Sequence, residues 1–173
     1  MHSPLIRDLL SAHKDDLGAD FEKYHNHVCR VYSYAVMLRQ ANEEEQNQLA
    51  IAAAFHDIGI WTANTFDYLA PSIRLAETYL MQNNKSNWKA TVREIIVNHH
   101  KLRPYKGNPL AESFRKADLI DLSHGLISFG ISTEQLKTIE KQYPSLGFRT
   151  FIAKEILKNC MLHPFNPLPI VKW

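Results

Sequence analysis

Cysteine is scarce in this sequence. Only two cysteines, Cys29 and Cys160, occur among its 173 residues. Two are too few for the disulfide framework of a small secreted domain, and neither belongs to a closely spaced pair of the kind that binds zinc. We therefore expect both thiols to be reduced and the protein to be cytoplasmic.

Long apolar runs are missing as well. The sequence contains no stretch of about 18 consecutive apolar residues, so we expect no transmembrane helix and no membrane partner. Residues 1–10 include polar and charged positions where a secretory signal needs an unbroken apolar segment. We therefore expect no such signal.

Neither sign of charge dominates. The 20 Lys and Arg residues nearly balance the 18 Asp and Glu residues, which gives a formal net charge of +2. Proteins that bind nucleic acid polymers through electrostatics carry a stronger basic bias, so we expect no such partner.

The length of the chain and its 45% hydrophobic content are typical of a protein with a single hydrophobic core. We predict that residues 1–173 form one domain.

Strand-like alternation is hard to find, whereas apolar residues recur at helical spacing through most of the chain. This pattern predicts an all-α fold, a bundle of about seven to eight helices. The predicted helices cover about residues 5–14, 24–41, 43–58, 71–82, 88–100, 109–126, 133–142 and 144–161. Three prolines exclude a regular helix from the tail, residues 163–173, which we expect to lie against the domain surface.

Histidine and aspartate side chains fall on the inward faces of three predicted helices. His27 lies on an apolar stripe, and Asp118 lies on the apolar face of a later helix. His56 and Asp57 occupy the last turn of an Ala-rich helix that we expect to end at Gly59. Because buried acids and histidines need partners, the pattern favours one divalent ion, which could be Mn, Fe, Co, Ni, Zn or Mg.

Three segments resemble the H…HD…D signature of the HD superfamily: residues 27–31 (HVCRV), 55–59 (FHDIG) and 117–121 (ADLID). Their order and helical context match too, and the motif-bearing core spans about residues 24–126. The stretch 56–80 also resembles a bacterial subgroup of HD proteins without an assigned substrate. The resemblance implies a helical bundle that binds one metal ion through His27, His56, Asp57 and Asp118.

The resemblance also implies a function, the metal-dependent hydrolysis of a small phosphorylated metabolite such as a nucleotide. The metal would polarise a phosphoryl oxygen and activate a water, with Asp57 involved in that activation. Two departures from the family pattern matter. Ile60 stands where many HD hydrolases have Lys or Glu, and residues 58–98 contain no histidine, although two-metal members have histidines there. We therefore predict a single metal ion.

His99 and His100 are the remaining histidines that could extend the site. The helical position of His99 is closer to the inward, apolar face than that of His100, so we expect His99 to line the site or to hold a water there. A dinuclear site looks incomplete from the sequence. Asp121, one helical turn after Asp118, could orient a ligating histidine or simply lie on the helix surface.

Basic residues near the motif are candidate substrate contacts. Lys101 and Arg103 follow the two histidines in a basic loop and could bind phosphate, or could be ordinary solvated residues. Arg30, one helical turn from His27, could reach an anionic group or pair with an acid on a neighbouring helix.

Two other functions stay open. One is a non-hydrolytic HD enzyme, either a hydratase or lyase or a di-iron oxygenase, and the oxygenase needs a second metal. The other is a catalytically silent regulatory module that binds a metal or nucleotide, which Ile60 suggests. A symmetric homodimer is also open, since small helical domains often form one.

Overall fold

The computed structural model describes residues 3–63, 65 and 67–162. The tail for which we predicted a surface-packed, non-helical segment, residues 163–173, lies outside the described residues. Within the described part of the chain the secondary structure is helical and contains no β-strand, which confirms the predicted all-α class. Among those same residues, no helix is long and apolar enough to cross a membrane.

The α-helices are numbered in chain order. They are α1 (Pro4–Ser11), α2 (Lys14–Leu17), α3 (Phe21–Arg39), α4 (Glu43–Phe55), α5 (Gly59–Thr62), α6 (Leu69–Gln82), α7 (Lys89–Asn98), α8 (Pro109–Leu122), α9 (Thr133–Gln142) and α10 (Phe148–Leu162). Single 3-10 turns at Gly18–Asp20 and Ser86–Trp88 lead into α3 and α7. In the described ranges, the helices of eight or more residues correspond to the eight predicted ones, while α2 and α5 are single turns.

Side-chain caps fix several helix starts. The Asn42 side chain accepts a hydrogen bond from the backbone N–H of Glu45, and the Glu45 carboxylate accepts one from the Asn42 N–H. Ser132 and Gln135 form the same reciprocal pair at the start of α9. Each pair satisfies two backbone donors that a helix end otherwise leaves without partners. The predicted starts of α4 and α9 are therefore confirmed.

Gly59 does not have the role that the sequence suggested. Helix α4 ends at Phe55, and Gly59 begins α5 without a left-handed φ. A Cβ atom at Gly59 would lie 2.5 Å from the backbone oxygen of Tyr68. The Gly59 N–H also donates to Ser72 Oγ at 3.0 Å. The glycine thus permits the close approach of α5 and α6, and its prediction as a helix stop was wrong.

Two other predicted boundaries are wrong for a common reason. Helix α8 ends at Leu122 because His124 and Gly125 adopt left-handed φ values of 54° and 74°. Helix α10 begins only after Leu146 and Gly147, whose φ values are 48° and 82°. A residue in the left-handed region cannot continue a right-handed helix. Each pair therefore forms a turn between helices.

Helix α3 forms the centre of the bundle. It packs against α8 along much of its length and also contacts α1, α4 and α9. Residues 24–36 are buried on every side of the helix, including polar side chains such as His27 and Arg30. Residues 50–54 of α4 are fully buried and mostly alanine, so small side chains let this helix approach its neighbours closely. The bundle thus encloses polar groups that need internal partners.

Candidate metal centre

The predicted ligands come together inside the bundle. His27 belongs to α3, Asp118 to α8, and His56 and Asp57 follow the last residue of α4. His99, just after α7, joins them. All five side chains are buried, and Asp57, the most accessible, is only 4% exposed. The fold therefore concentrates imidazole and carboxylate groups at one internal place.

The ligand atoms are spaced as the ligands of one ion would be. The Nε2 atoms of His27 and His56 lie 3.1 Å apart. Asp57 Oδ2 lies 3.3 Å from His56 Nε2 and 3.8 Å from His27 Nε2, and Asp118 Oδ1 lies 3.7 Å from His27 Nε2. Two nitrogens bound to one zinc-like ion at about 2.1 Å are about 3.0 to 3.4 Å apart for right-angled to tetrahedral arrangements. His27, His56 and Asp118 fit a shared divalent ion, and Asp57 Oδ2 lies beside the Nε2 atoms of both histidines.

Hydrogen bonds orient the rings so that their free nitrogens converge. Three Nδ1 atoms each contact an oxygen that can only accept: His27 contacts Asp121 Oδ2 at 2.7 Å, His56 the Ala53 carbonyl at 2.8 Å and His99 the Ile96 carbonyl at 2.7 Å. Each Nδ1 must therefore carry the hydrogen, and when the ring is neutral Nε2 has a lone pair. Burial lowers the pKa of His27 to about 4, although Asp121 opposes this shift, so this ring is neutral at pH 7.

Several atoms of the cluster also lack partners. Within the described residues, Asp57 Oδ1, Asp118 Oδ1 and His99 Nε2 are buried and make no hydrogen bond. Such atoms are rare because each costs about 1–3 kcal/mol, and more when the group is charged. A divalent cation would satisfy carboxylate oxygens and imidazole lone pairs at the same time.

The two carboxyl groups have opposite pKa shifts. Burial raises the pKa of Asp118 to about 8, with the charges of Asp57 and Asp121 acting in the same direction and His99 opposing them. Burial also acts to raise the pKa of Asp57, but His56 and His99 outweigh it and hold that pKa well below its usual value. Without a cation, Asp57 is charged and Asp118 retains a proton at pH 7. A bound cation would displace that proton.

His99 and His100 extend the cluster on its other side. Asp57 Oδ1 lies 3.2 Å from His99 Nε2 and 3.9 Å from His100 Nε2, and Asp118 Oδ2 lies 3.7 Å from His100 Nδ1. Each aspartate thus has one oxygen near His27 and the other near His99 or His100. Three sets of three residues each place their ligand atoms close enough to hold one ion, and the sets share members. The sets are His27, His56 and Asp118; His56, Asp57 and His99; and His99, His100 and Asp118.

A family model described as HD domain matches residues 24–128, more than half of the chain. The chain belongs to the HD domain family. The matched segment contains every residue of the cluster just described, and it ends before α9 begins. No curated protein and no solved structure matches the chain. Membership explains the helical bundle and the order of the histidines and aspartates along it.

Two tyrosines of the HD domain support the cluster, a role that the sequence analysis predicted for neither of them. The Tyr24 hydroxyl donates to the Ala54 carbonyl at 3.1 Å and accepts from the Asp57 N–H at 3.3 Å, so it fixes the bend after α4. The Tyr68 hydroxyl lies 2.6 Å from His100 Nε2. Burial and the charge of Asp57 raise the pKa of both tyrosines well above 10. The signal for Tyr24 was its position one helical turn before His27.

Of the two roles left open for Arg30, the structure shows the pairing with an acid on a neighbouring helix, Asp121 of α8, and not the substrate contact. The Arg30 side chain is fully buried, and its Nε and Nη2 atoms donate to the two oxygens of Asp121 at 2.5 and 2.9 Å. Its Nη1 atom donates to the Tyr143 carbonyl at 2.7 Å. Because the guanidinium is committed to the protein, it is not available to a substrate phosphate. Asp121 occupies the place of an orienting residue, hydrogen-bonded to His27.

The basic loop lies directly after the two neighbouring histidines. Arg103 is exposed and Lys101 is partly buried. Glu112 accepts from the Tyr105 N–H at 2.8 Å, and Arg115 donates to the Lys101 carbonyl at 3.2 Å. The loop backbone is therefore tied to α8, close in sequence to His100. The substrate contacts predicted for Lys101 and Arg103 stay predictions.

Ile60, the departure from the family pattern, belongs to the apolar core. It follows Gly59 in α5 and is 9% exposed. An aliphatic side chain there contributes packing in place of the charged group that many HD hydrolases carry. Any proton transfer or phosphate contact in this protein must therefore come from other residues.

Proposed function

We propose that this HD domain is a metal-dependent phosphohydrolase that acts on a small phosphorylated metabolite such as a nucleotide. The observation that carries the proposal is the facing pair of imidazole nitrogens, His27 Nε2 and His56 Nε2, 3.1 Å apart beside two buried carboxyl groups. Family membership supports it, because HD domains are mostly metal-dependent hydrolases.

His27, His56, Asp57 and Asp118 would hold the ion. Mixed nitrogen and oxygen ligands suit Mn, Fe, Co, Ni or Zn, and Mg is the more oxygen-seeking alternative. When bound, such an ion polarises a phosphoryl oxygen and lowers the pKa of a coordinated water towards neutrality. The chain itself supplies the fixed orientation of each ligand through the hydrogen bonds at the three Nδ1 atoms.

His99 is the residue best suited to orient the attacking water. Its Nδ1–H is engaged by the Ile96 carbonyl, so its Nε2 lone pair is directed to the cluster, 3.2 Å from Asp57 Oδ1. A water that contacts both acceptors would donate to them and lose a proton to one of them as its oxygen bonds to phosphorus. The bond from phosphorus to the leaving oxygen would break at the same time, and the leaving oxygen would keep the bonding electrons and take up a proton from solvent. Asp57 would thus bind the ion with one oxygen and orient the water with the other.

The substrate would enter on the side of His100. Its side chain is 15% exposed, whereas those of Asp57 and Asp118 are 5% and 3% exposed. The basic loop follows His100 directly, so Lys101 and Arg103 are suited to bind the phosphate of an incoming metabolite. The depth of the cluster favours a small phosphate group over a nucleic acid polymer.

A dinuclear centre is the second candidate. It is favoured by the overlapping group of His99, His100 and Asp118, together with the two-sided position of Asp57. Such a centre would also suit the hydratase, lyase or di-iron oxygenase alternatives. Metal stoichiometry separates the two candidates, because the proposed mononuclear hydrolase requires one ion per chain.

The test is turnover of a panel of phosphate esters and nucleotides with Mn, Co, Ni, Zn or Mg. We expect hydrolysis that depends on the ion and is lost in His56→Ala. The matched control is His13→Ala, since His13 is a partly exposed histidine between α1 and α2. If every ester at millimolar concentration resists hydrolysis with every ion, the hydrolase proposal fails and the silent binding module takes its place.

A further inference from the structure

We propose that Phe148 and Arg149, at the start of α10, are positioning residues for the metal ligand His27. This inference rests on the proposed metal site, because it assigns a role to His27 as a ligand. Both residues lie beyond residues 24–128, the segment that the family model matches. The ligand set would then depend on a helix outside that segment.

Phe148 holds the His27 ring by direct stacking. The two ring centroids are 4.0 Å apart, and the planes differ by only 15°. Phe148 is fully buried, so its ring has no freedom to leave this position without opening a cavity. The stack restricts rotation of the imidazole about its Cβ–Cγ bond, and that rotation would move Nε2 away from the cluster.

Arg149 fixes the acceptor that orients the same ring. Its Nη2 atom donates to Asp121 Oδ1 at 2.9 Å, and its Nε atom donates to the Asp121 backbone carbonyl at 2.7 Å. Holding both ends of one residue locks the Asp121 side-chain torsions. Asp121 Oδ2 then lies 2.7 Å from His27 Nδ1. Arg149 therefore acts on His27 through Asp121.

Four charged side chains form a network of ion pairs around Asp121. Arg30 and Arg149 are the cations, and Asp121 and Glu140 are the anions, with Glu140 Oε2 2.7 Å from Arg149 Nη2. Asp121 is fully buried and the Arg149 side chain is 10% exposed. Each oxygen of Asp121 accepts two donors: Oδ1 accepts from Arg30 and Arg149, and Oδ2 accepts from Arg30 and His27. Loss of Arg149 would leave Arg30 as the remaining donor to Oδ1 in this network and would remove the link between the Asp121 side chain and its backbone, so that the carboxylate could tilt and draw Oδ2 from His27.

The turn before α10 directs both residues inward. Leu146 and Gly147 adopt left-handed φ values of 48° and 82°, so the chain reverses sharply just before Phe148. Two consecutive side chains at the helix start then reach His27 and its acceptor. Arg149 also contacts His124 Nδ1 at 3.1 Å, in the turn after α8, which ties α10 to the end of the helix that carries Asp121.

Two measurements on the full chain test the proposal. The first is the metal Kd, obtained by competition with a chromophoric chelator using Co or Zn, for the natural protein, Arg149→Leu and Arg149→Lys. Mutation of a residue that hydrogen-bonds to a metal ligand typically weakens metal affinity about 10- to 100-fold. We expect a loss of about that size in Arg149→Leu and a smaller loss in Arg149→Lys, which keeps the charge but not the two-pronged contact.

The matched control is Leu10→Ala, a fully buried residue of α1, which lowers stability without touching this network. Its metal Kd should stay within about twofold of the natural value. That change is much smaller than the one expected when a hydrogen-bond partner of a metal ligand is mutated. Circular dichroism establishes which variants fold. Where Arg149→Leu does not fold, Arg149→Lys and Phe148→Leu decide the matter. An unchanged Kd in the folded variants overturns the proposal.

The second measurement needs no metal. Imidazole nitrogen-proton NMR spectra of the metal-free protein should show the His27 Nδ1–H as a slowly exchanging signal, which disappears in Arg149→Leu and persists in Leu10→Ala. If the natural protein binds no metal but this pattern appears, the metal-site proposal fails while α10 still positions His27. If the signal persists in Arg149→Leu, the positioning role is overturned whatever the metal does.

Discussion

His27 Nε2 and His56 Nε2 lie 3.1 Å apart inside the bundle, and in neutral rings neither nitrogen has a hydrogen to offer the other. The opposite nitrogen of each ring is hydrogen-bonded to an acceptor, Asp121 for His27 and the Ala53 carbonyl for His56. Two lone pairs face each other in a buried place, an arrangement that a cation between them would stabilise.

The metal-free protein should lose stability between about pH 6.5 and pH 8. Asp118 has a pKa of about 8 in the fold but 3.8 as a free side chain, so the folded state keeps a proton that the unfolded chain has released. Its stabilising contribution is complete below pH 3.8 and is lost as the pH rises through about 8. His27, with its pKa lowered from 6.5 to about 4, has the opposite effect only below pH 6.5.

The measurement is urea unfolding of the metal-free protein at several pH values. The free energy of unfolding should fall by up to about 1.4 kcal/mol for each pH unit in that interval. Asp118→Asn, which has no proton to lose, should flatten the profile. A natural protein whose stability is constant or rises from pH 6.5 to pH 8 would show that Asp118 is ionised in the fold.

Tyr24→Phe should weaken metal binding without removing a ligand. The hydroxyl accepts from the Asp57 N–H and donates to the Ala54 carbonyl, so its loss leaves both backbone groups buried without that partner. We expect a stability loss of about 1–3 kcal/mol. The metal Kd should rise about tenfold or more, as for other groups that orient ligands.

Tyr79→Phe is the control for Tyr24→Phe, because Tyr79 is a partly buried tyrosine on α6. Chelator competition and urea unfolding should both give values close to those of the natural protein. If Tyr24→Phe binds metal as tightly as this control, then the bend after α4 maintains its geometry without the hydroxyl.

Gly59→Ala should destabilise the fold through a steric clash. The added methyl group would lie 2.5 Å from the Tyr68 carbonyl oxygen, a backbone atom that cannot move without shifting α6. Overpacking of this kind costs about 1–3 kcal/mol. Thermal or urea unfolding measures the loss, with Thr62→Ala in the same helical turn as the control. Equal stabilities of Gly59→Ala and Thr62→Ala would contradict the close approach of α5 and α6.

Arg103→Ala should impair substrate binding more than chemistry. Because Arg103 is an exposed residue of the loop after His100, its contact with a substrate phosphate would form on binding and persist during reaction. With an active phosphate ester in hand, KM should rise about tenfold, which corresponds to about 1.4 kcal/mol, while kcat changes little. Lys137→Ala on the exposed face of α9 is the control. An unchanged KM would remove Arg103 from the substrate site.

The accuracy of the sequence predictions depended on how local each signal is. The bounds predicted for helix α9, residues 133–142, match the structure, and its start is fixed by a cap between Ser132 and Gln135, three residues apart. The start of α10 was misplaced because Leu146 and Gly147 adopt left-handed conformations that Pro144 alone does not signal. Local patterns fix caps and faces, whereas turn geometry also depends on what the chain packs against.

The site shows the same division between local and distant signals. The cluster of His27, His56, Asp57 and Asp118 could be predicted from helical phase together with the resemblance to the HD signature. The sequence left two roles open for Arg30, because its partner, Asp121, is 91 residues away in the sequence. Arg149 gave no sequence signal, since its contacts with Asp121 arise only when α10 packs beside α8. Pairings across the bundle are set by tertiary packing and are not visible in helical periodicity.

The most direct test of the metal-centre proposal is elemental analysis of protein purified without an affinity tag, comparing the natural chain with Asp57→Ala and with His13→Ala. We predict one transition metal ion per chain in the natural protein and in His13→Ala, and its loss in Asp57→Ala. Two ions per chain would favour the dinuclear centre with His99 and His100 as ligands. A natural protein that contains no metal, even after reconstitution with Mn, Fe, Co, Ni, Zn or Mg, would contradict the metal centre itself.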